Sequence, residues 1–455
     1  MKIVLINPKP KIWIKSFTLP LGLAYVAAYA MEKGFKDIQV VDLNLHSEAT
    51  LPLAQVYGIT ATTPLINAAY ALAKKIKTPE NFVVLGGPHA TCLPEEALLK
   101  EGVDFVIRGE GEITFYQLLE AIKAKSDFSQ IQGLSFKKDG RIIHNPERDF
   151  IKNIDTLPFP ARQLFGDLRA YSHPQPLLGW RKPVVNMLTS RGCPYNCYFC
   201  YKGTFGRAWR GRSAQSVVEE WEMLVKDYKV KELAIQDDMF NLDLDRAKQI
   251  MTLVIEKKLQ IPFTFPNGIR ADFIDEELVG LMKSAGLYRT ALGVESGVQE
   301  VLDDIGKNEN LSEIEAGLTL LKKYGIQTIL FFVMGNPKDT ETTMQKTIEY
   351  SIKLDPYFSQ YASSTPFPGT RLYDMVKASG TLRVKDWDEF SQFDQKGYFD
   401  YPHLKGSTIV KYVKKAYRKF YFRPRFIFKM LTLPDFYMKL PAFIEGLWHF
   451  GFKGK

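Results

Sequence analysis

Short apolar runs alternate with helix-like stretches through most of this 455-residue chain, and each run ends in small or polar residues. In the first part of the chain, the runs lie at residues 3–6, 39–43, 56–61, 82–85 and 105–107. Apolar strands separated by helices predict a parallel sheet with helices on both faces. Ligands of such sheets bind beyond the carboxyl ends of the strands. We therefore predict a doubly wound, Rossmann-like domain over residues 1–127.

A second series of strands follows a connection at residues 128–182, in which Asp139 and Gly140 predict the turn of a hairpin. Six apolar runs make up this series, at 184–188, 233–235, 263–265, 289–294, 328–334 and 358–362. Helical spacing separates the runs, and Ser216 and Ser312 are the predicted N-caps of two of the helices. These βα units predict a partial (β/α)₆ barrel, similar to a TIM barrel, over residues 183–385. The predicted fold class is α/β.

Three of the four cysteines, Cys193, Cys197 and Cys200, lie close together after the first strand of the second series. So few cysteines cannot form a disulfide framework, and their clustering indicates a reduced metal or cluster site. A [4Fe–4S] cluster normally takes four Cys ligands. Here the fourth cysteine, Cys92, belongs to the other domain, so one iron would be open to a ligand from outside the protein. The alternative is structural zinc, which needs a remote fourth ligand because the nearest histidine, His173, is far along the chain.

With the aromatic Phe199, these cysteines form the pattern C-x₃-C-x-aromatic-C, which resembles the hallmark of the radical S-adenosylmethionine (SAM) superfamily. The resemblance implies that the open iron binds the amino and carboxylate groups of SAM. It also implies that an electron from the cluster releases a 5′-deoxyadenosyl radical, which takes hydrogen from an unreactive C–H bond. The protein would then orient the cofactors and exclude water.

Four further segments at predicted strand ends resemble the SAM-binding segments of that superfamily, in the place where barrels of this kind keep their chemistry. In isolation, Asp237 and Asp238 could equally belong to a solvated turn, and Glu295 could lie near a helix start. The resemblance implies cofactor contacts from Phe199, Asp237, Asp238, Arg270, Glu295, Ser296 and Gly335.

Segments of the first domain are similar to those of the cobalamin-binding radical SAM subfamily. A flat corrin ring requires small residues at strand ends, so that the backbone can approach it closely. We expect no histidine beneath the cobalt, and His89 is interpreted as a hydrogen-bonding loop residue. The alternative is a doubly wound module that binds nothing, or another nucleotide. The predicted cobalamin site comprises Thr62, Thr63, Gly86, Gly87, His89, Thr91, Gly109, Glu110, Gly111 and Glu112.

The net charge of +9 is concentrated in a mainly helical C-terminal extension, predicted over residues 386–455. From residue 401 onward there are twelve Lys/Arg, two acidic residues and fourteen aromatics. We expect a helical cap over the barrel mouth with inward aromatics, and peripheral contact with an anionic membrane as a secondary role. Nucleic acid is disfavoured because the other residues carry no basic excess. The first residues lack a signal peptide, and a cytoplasmic protein is expected, with peripheral contact at the inner membrane face.

The hypothesis that follows is a cobalamin-dependent radical SAM enzyme with a [4Fe–4S] cluster, most simply a methyltransferase acting on a substrate carbon. One SAM would remethylate cobalamin and another would supply the radical. Cyclisation or ring rearrangement without methyl transfer is the alternative within the same chemistry, and an inactive cobalamin-binding sensor or carrier is the alternative from another class. Expected partners are a small-molecule or lipid-like substrate, such as a lipid or tetrapyrrole, and an external flavodoxin- or ferredoxin-type electron donor.

Overall fold

A computed structural model of the protein describes residues 1–9, 18–47, 49–173, 181–391 and 396–431. The first half of the chain forms one sheet whose strands are β1 (Ile3–Asn7), β2 (Ile38–Asp42), β3 (Val56–Thr60), β4 (Phe82–Gly86), β5 (Phe105–Ile107), β6 (Leu134–Lys138) and β7 (Arg141–His144). Their order is β2-β1-β3-β4-β5-β6-β7, and the first five are parallel. The chain direction across the sheet reverses between β1 and β3, which is the ligand-binding position of doubly wound folds.

Helices cover both faces of this sheet, as the fully apolar strands require. The helices are α1 (Leu21–Glu32), α2 (Ile66–Ile76), α3 (Pro88–Cys92), α4 (Pro94–Leu99) and α5 (Gly111–Ala124). Alternate residues of β1 enter two separate cores: Ile3 and Leu5 pack with α1 and α5, whereas Val4 and Ile6 pack with α2. This two-sided burial confirms the doubly wound prediction.

The predicted hairpin belongs to the first sheet and is not a free connection. Strand β6 pairs antiparallel with β5, and β7 pairs antiparallel with β6. Leu134 and Phe136 are buried in the same core as Phe105. The hairpin covers an edge that β5 would otherwise expose, which is why it packs here. The boundary at residue 127 therefore leaves two strands of this sheet outside the predicted domain.

The second half of the chain forms an open, fully parallel sheet of six strands. Its main strands are β8 (Val184–Met187), β11 (Glu232–Ile235), β12 (Phe263–Ile269), β13 (Leu287–Glu295), β14 (Gln327–Met334) and β15 (Phe358–Ser363). They pair in chain order, with β8 and β15 at opposite edges. A short antiparallel pair, β9 (Ser190–Arg191) and β10 (Arg210–Gly211), lies beside β8 in the chain. The partial-barrel prediction is confirmed.

Helices between these strands follow the predicted alternation, but two predicted N-caps are wrong. The helices are α6 (Ala214–Lys226), α7 (Leu244–Glu256), α8 (Glu276–Ala285), α9 (Gln299–Ile305), α10 (Leu311–Lys323), α11 (Glu341–Leu354) and α12 (Arg371–Ala378). Helix α6 is capped by Ser213, whose hydroxyl accepts a hydrogen bond from the Ser216 backbone. Helix α10 begins after Asn310, which forms a capping box with Glu313, so Ser312 lies inside the helix.

The C-terminal extension contains α13 (Gly406–Tyr421) and α14 (Pro424–Leu431). Helix α13 lies along the edge strand β15 and against α11, and its first turn reaches the barrel mouth where Ile409 packs on Gly335 after β14, so the expected cap is formed in part. The Tyr421 hydroxyl accepts a hydrogen bond from the Ser359 amide and donates one to the Ser359 carbonyl. The helix thus satisfies backbone groups at the exposed edge of the sheet, and this need determines its position.

The predicted extension beyond Leu431 lies outside the described residues. Among those that are described, no helix has both the length and the apolar character needed to cross a membrane.

Candidate functional site

The cysteine-bearing loop begins at β9 and returns through β10, at the carboxyl end of β8. Gly192, next to Cys193, has a φ of +84°, and a Cβ there would collide with the Ala208 carbonyl oxygen. The Cys193 amide donates to the Gly206 carbonyl at 3.4 Å. This close return of the chain explains why glycine precedes the first cysteine.

The three cysteines of this loop fit an iron–sulfur cluster in donor chemistry. Cys193 and Cys197 are partly buried, and Cys200 is exposed. Burial raises the pKa of the Cys197 thiol to about 11, although the nearby Lys307 opposes the shift. Within the described part of the chain, no three His, Cys, Asp or Glu residues converge as they would around a single metal ion. A [4Fe–4S] cluster places its thiolates on separate iron atoms, so three cysteines spread along one loop match its needs.

The two aspartates after β11 have different surroundings. Asp237 is buried, and its carboxylate accepts hydrogen bonds from the Thr189 amide at 2.6 Å and the Ser190 hydroxyl at 2.7 Å. Burial raises the pKa of Asp237, and these hydrogen bonds oppose the shift. Asp238 is exposed and accepts a hydrogen bond from the Gly192 amide. Asp237 therefore supports the start of the cysteine loop, whereas Asp238 remains available to a cofactor.

Glu295 is the last residue of β13. Its backbone is strained, because its φ of +64° is one that residues other than glycine rarely adopt. Its carboxylate lies 3.4 Å from the Lys307 ammonium, which is also 3.2 Å from Glu309. Burial lowers the pKa of Lys307, but the two carboxylates outweigh it, so the pKa lies above its ordinary value. Lys307 thus gathers two acidic groups beside the cysteine loop.

Ser296 follows Glu295, and its hydroxyl is buried. It lies 3.3 Å from the Thr347 hydroxyl and accepts a hydrogen bond from the Val298 amide at 3.2 Å. These contacts hold the turn between β13 and α9. Ser296 therefore serves the geometry of the segment predicted to bind SAM.

Arg270 faces the cysteine loop. Its guanidinium lies 3.8 Å from the centre of the Tyr195 ring, between the first two cysteines. It forms an ion pair with Asp272 at 2.6 Å and donates to the carbonyls of Lys307 at 2.7 Å and Asn308 at 2.8 Å. Its donors are thus occupied by protein groups that brace the loop from outside.

Tyr198, the neighbour of Phe199, connects the cysteine loop to the segment that begins at Gly335. The ring of Phe199 packs edge-to-face against Tyr198, whose hydroxyl donates to the Asn336 side chain. Gly335 has a φ of +88°, and a Cβ there would collide with Ile409 of α13. Gly335 thus lies at the carboxyl end of β14, where the C-terminal helix packs closely, and Tyr198 joins this end to the cysteine loop.

Among the predicted cobalamin residues, the first group lies where the carboxyl ends of β3 and β4 meet. Thr62 is exposed, and the buried Thr63 hydroxyl lies 3.2 Å from Nδ1 of His89. A Cβ on Gly87, whose φ is +94°, would lie 2.8 Å from the Ala61 carbonyl oxygen, so glycine is needed there. The buried His89 ring packs edge-on against Trp387. His89 is therefore held by protein groups, as expected, but it lies in the short helix α3 and not in a loop.

The same edge leaves room for a flat ligand at two glycines. A Cβ built on Gly86 or Gly109 would meet no other atom within 4 Å. The Gly109 amide donates to the Thr91 hydroxyl at 3.1 Å, which joins the loops after β4 and β5. Open space before exposed backbone fits a corrin ring, for which close backbone approach is the main requirement.

Glu110 and Glu112, also predicted to contact cobalamin, point toward the second domain. Glu110 lies 2.7 Å from Arg191 and 2.8 Å from Arg210, and Glu112 lies 2.6 Å from Arg191. Gly111 stands between them at the first turn of α5. These carboxylates therefore join the two domains.

Comparisons with known proteins agree with this arrangement. The model of the radical SAM superfamily matches residues 187–351, and that of the B12 binding domain matches residues 12–119. An uncharacterized methyltransferase of Pyrococcus horikoshii is 33% identical, over 94% of each chain. The chain belongs to the cobalamin-binding radical SAM enzymes. Its cofactors are accordingly SAM, a [4Fe–4S] cluster and cobalamin.

More distant relatives of this radical SAM enzyme differ in their reactions. The cytidylyl-2-hydroxyethylphosphonate methyltransferase of Streptomyces wedmorensis is 26% identical, covering 82% of this chain and 80% of its own. The anaerobic magnesium-protoporphyrin IX monomethyl ester cyclase of Rubrivivax gelatinosus is also 26% identical, covering 90% and 74%.

Two solved structures share the fold of this radical SAM enzyme. The methyltransferase TsrM of Kitasatospora setae has a TM-score of 0.69 and 19% identity, covering 85% of this chain and 80% of its own. The cobalamin-dependent SAM radical enzyme OxsB has a TM-score of 0.74 and 17% identity, covering 98% and 71%.

Sequence reasoning missed several residues around the cofactors of this radical SAM enzyme. Arg191 and Arg210 pair with residues far away in the chain, and Trp387 reaches the first domain from beyond the barrel. Lys307 follows the Glu295 segment without any motif. Of these residues, Arg191 had a usable signal, since Gly192 alone separates it from the first cysteine of the pattern.

Proposed function

We propose that this enzyme transfers a methyl group from cobalamin to a carbon atom of its substrate. The observation that carries the proposal is the direct contact between the two cofactor-bearing modules, in which Arg191 beside the cysteine loop pairs with Glu110 and Glu112, next to the open position at Gly109. When bound, the cluster and SAM supply hydrogen abstraction, and cobalamin supplies the methyl group. Two cofactors that act on one carbon must be held close together.

The residues of this chain would divide the work by position. Cys193, Cys197 and Cys200 would hold the cluster. Around SAM we assign Asp238 and Glu295 as polar contacts, with Arg270, Asp237, Ser296, Phe199 and Gly335 fixing the surrounding loops. The loops at Thr62, Thr63, Gly86, Gly87, Thr91 and Gly109 would receive cobalamin, while His89, Glu110, Gly111 and Glu112 fix their positions.

Cyclisation or ring rearrangement without methyl transfer is the second candidate, because one relative is named as a cyclase. The two reactions treat the methyl group of SAM differently. Only the methyltransferase moves it to cobalamin and then to a product. The fate of that methyl group therefore separates the two functions.

The test uses anaerobically reconstituted enzyme, reduced cobalamin and SAM with a deuterated methyl group. We expect deuteromethyl-cobalamin by mass spectrometry, and a deuteromethyl mass increase in a component of a lipid extract of the source organism. An oxidised or cyclised product without label would support the second candidate. No cleavage of SAM under any reductant would favour an inactive sensor or carrier.

We propose that an external flavodoxin- or ferredoxin-type protein supplies the electron, because a biological iron–sulfur cluster needs a low-potential donor. Flavodoxin with its reductase and NADPH should support formation of 5′-deoxyadenosine from SAM, as chemical reduction by dithionite does. Activity with dithionite alone would contradict this assignment.

We propose that the surface of α13 and α14 contacts an anionic membrane, which would suit a lipid-like substrate. Phe428 is 71% exposed and Leu431 is 58% exposed, and the neighbouring Arg425 side chain is 81% exposed. Apolar side chains rimmed by basic ones match an anionic lipid interface.

A flotation assay tests the membrane contact with vesicles of phosphatidylcholine, with and without phosphatidylglycerol. Binding should require phosphatidylglycerol, weaken with salt and fall in Phe428→Glu. Met375→Glu is the control, because the exposed Met375 side chain lies on another element, α12. Equal behaviour of wild type and Phe428→Glu would contradict the proposal, and release by DNA competitor would point to nucleic acid.

A further inference from the structure

Two glutamates of the first domain and two arginines of the second form one buried charge cluster. Arg191 lies between Glu110 at 2.7 Å and Glu112 at 2.6 Å, and Arg210 lies 2.8 Å from the other oxygen of Glu110. All four side chains are at most 8% exposed. We name these residues the interdomain charge cluster.

Aromatic rings hold the arginines of the interdomain charge cluster in place. The Arg191 guanidinium lies 5.0 Å from the ring centres of both Tyr25, from α1, and Phe205, from the cysteine loop. The Arg210 guanidinium lies 5.1 Å from the Phe150 ring. Arginine is suited to this position because its planar group can stack and form paired hydrogen bonds at once.

Hydrogen bonds tie the same cluster to the backbone on both sides. Arg210 donates to the carbonyls of Phe205 and Ile151, each at 2.8 Å, and the Ile151 amide donates to Glu110 at 2.8 Å. The cluster therefore links α5, the connection after the hairpin, and both ends of the cysteine loop.

The interdomain charge cluster stands between the two places where the cofactors bind. On one side, Arg191 is separated from Cys193 only by Gly192, whose conformation is restricted by contact with Ala208. On the other side, Glu110 directly follows Gly109. The Gly109 amide donates a hydrogen bond to the Thr91 hydroxyl, and a Cβ built on Gly109 would meet no atom within 4 Å. A displacement at one side is thus transmitted to the other through short, buried contacts.

We propose that Glu110, Glu112, Arg191 and Arg210 are positioning residues that set the separation between the cysteine loop and the corrin-binding edge. The proposal rests on the proposed function only in requiring that cluster and cobalamin bind to the same chain. A displacement of about 1 Å between reacting groups can lower a rate about a hundredfold. A cluster of buried, multiply bonded charges resists such displacement better than apolar packing, because its geometry is directional.

A matched control exists in the same protein. Glu220 is also buried between two arginines, at 2.6 Å from Arg162, and it pairs with Arg212 as well. That second cluster contains no residue of the first domain. Glu112→Gln and Glu220→Gln each remove one buried carboxylate that pairs with arginine, and of these two carboxylates only Glu112 belongs to the first domain.

The experiment measures the magnetic interaction between the reduced cluster and cob(II)alamin by electron paramagnetic resonance. Iron and cobalt contents establish that both cofactors are bound in each variant. We expect altered spin–spin broadening in Glu112→Gln and the wild-type spectrum in Glu220→Gln. Transfer of methyl from SAM to cobalamin should fall at least about tenfold in Glu112→Gln only.

Arg210→Lys provides a second variant that keeps the charge but loses the planar, multiply bonded geometry. It should show the same altered interaction in a milder form. Wild-type spin–spin interaction in both Glu112→Gln and Arg210→Lys, with both cofactors bound, would overturn the proposal. An altered interaction in both variants, in an enzyme whose wild type does not methylate its substrate, would leave the positioning role intact and count against the proposed function.

Discussion

The imidazole ring of His89 lies edge-on against the indole ring of Trp387, with the ring centres 4.9 Å apart. Glu96 joins this contact, because its carboxylate accepts hydrogen bonds from Trp387 Nε1 at 2.8 Å and from the Tyr70 hydroxyl at 3.1 Å. His89 follows β4, whereas Trp387 comes after the barrel. The C-terminal segment therefore returns to the first domain and packs against a loop at its corrin-binding edge.

The Trp387→Phe variant should lose stability through one hydrogen bond. The ring packing is largely kept, but the N–H donor to Glu96 is removed. Because the acceptor is a carboxylate, we expect the free energy of unfolding to fall by about 1.5 kcal/mol. Urea unfolding measures the change. Trp209→Phe is the comparison, since its Nε1 donates to the neutral Met239 carbonyl, and an equal loss in both would contradict the role of the Glu96 charge.

The contribution of Glu96 to stability should depend on pH. Burial raises the pKa of Glu96, but the imidazole of His89 at 3.8 Å and the hydrogen bond from Trp387 outweigh it, so the pKa lies below its ordinary value of 4.5. A lowered carboxyl pKa favours the folded state above the unfolded pKa, and this benefit is lost as the pH falls through the folded value. Wild type should therefore exceed Glu96→Gln in unfolding free energy at pH 7, and the difference should be smaller at a pH below 4.5.

The neighbouring Glu95 serves as the control for this pH dependence, because its side chain is exposed. Glu95→Gln should match wild type at both pH values. A constant difference between wild type and Glu96→Gln across this range would show that Glu96 acts by packing and not by its charge.

Strand positions could be predicted from the sequence because apolar runs are local. The strand at residues 56–61 corresponds to Val56–Thr60, and that at 328–334 to Gln327–Met334. The N-caps were less predictable. Ser216 and Ser312 are of a residue type that caps helices, but so are the nearby Ser213 and Asn310. The backbone geometry determines which of them becomes the N-cap.

The candidate site was predictable only where its residues are close in sequence. The cysteines occupy one loop, so their spacing carried the information. Glu110 and Glu112 were assigned to cobalamin because their segment resembles one of the cobalamin-binding subfamily, yet they face Arg191 and Arg210. Which acid meets which base depends on the docking of two domains, and spacing along the chain does not encode it.

Replacing any cysteine of the loop should prevent assembly of the cluster. Cys193→Ala, Cys197→Ala and Cys200→Ala each remove one of three protein ligands, and iron and acid-labile sulfide should fall to a small fraction of wild type. Cys92→Ala is the control, because Cys92 lies in the first domain, and it should keep wild-type iron. Full cluster content in any of the three loop variants would contradict the assignment of that cysteine.

Lys307→Met should be strongly destabilising, because Lys307 is buried between Glu295 and Glu309. Removing one partner of a buried ion pair costs about 3–5 kcal/mol, since the remaining charges stay desolvated. Adding Glu309→Gln should recover part of this loss, and urea unfolding of the three variants gives the coupling energy. Strictly additive losses would mean that Lys307 and Glu309 do not interact in solution.

The Tyr421 hydroxyl should stabilise the protein by capping the edge strand β15. It accepts from the Ser359 amide at 3.2 Å and donates to the Ser359 carbonyl at 2.6 Å. Tyr421→Phe leaves both backbone groups without this partner, and we expect the free energy of unfolding to fall by about 2 kcal/mol. Tyr412→Phe, which removes a hydroxyl donor to Glu341 and none to the strand, should cost less than about 1 kcal/mol.

Because an unsatisfied edge invites pairing with other chains, Tyr421→Phe should also aggregate faster on warming, measured by light scattering. Equal stability of the two variants would show that α13 is held against β15 by apolar contacts alone.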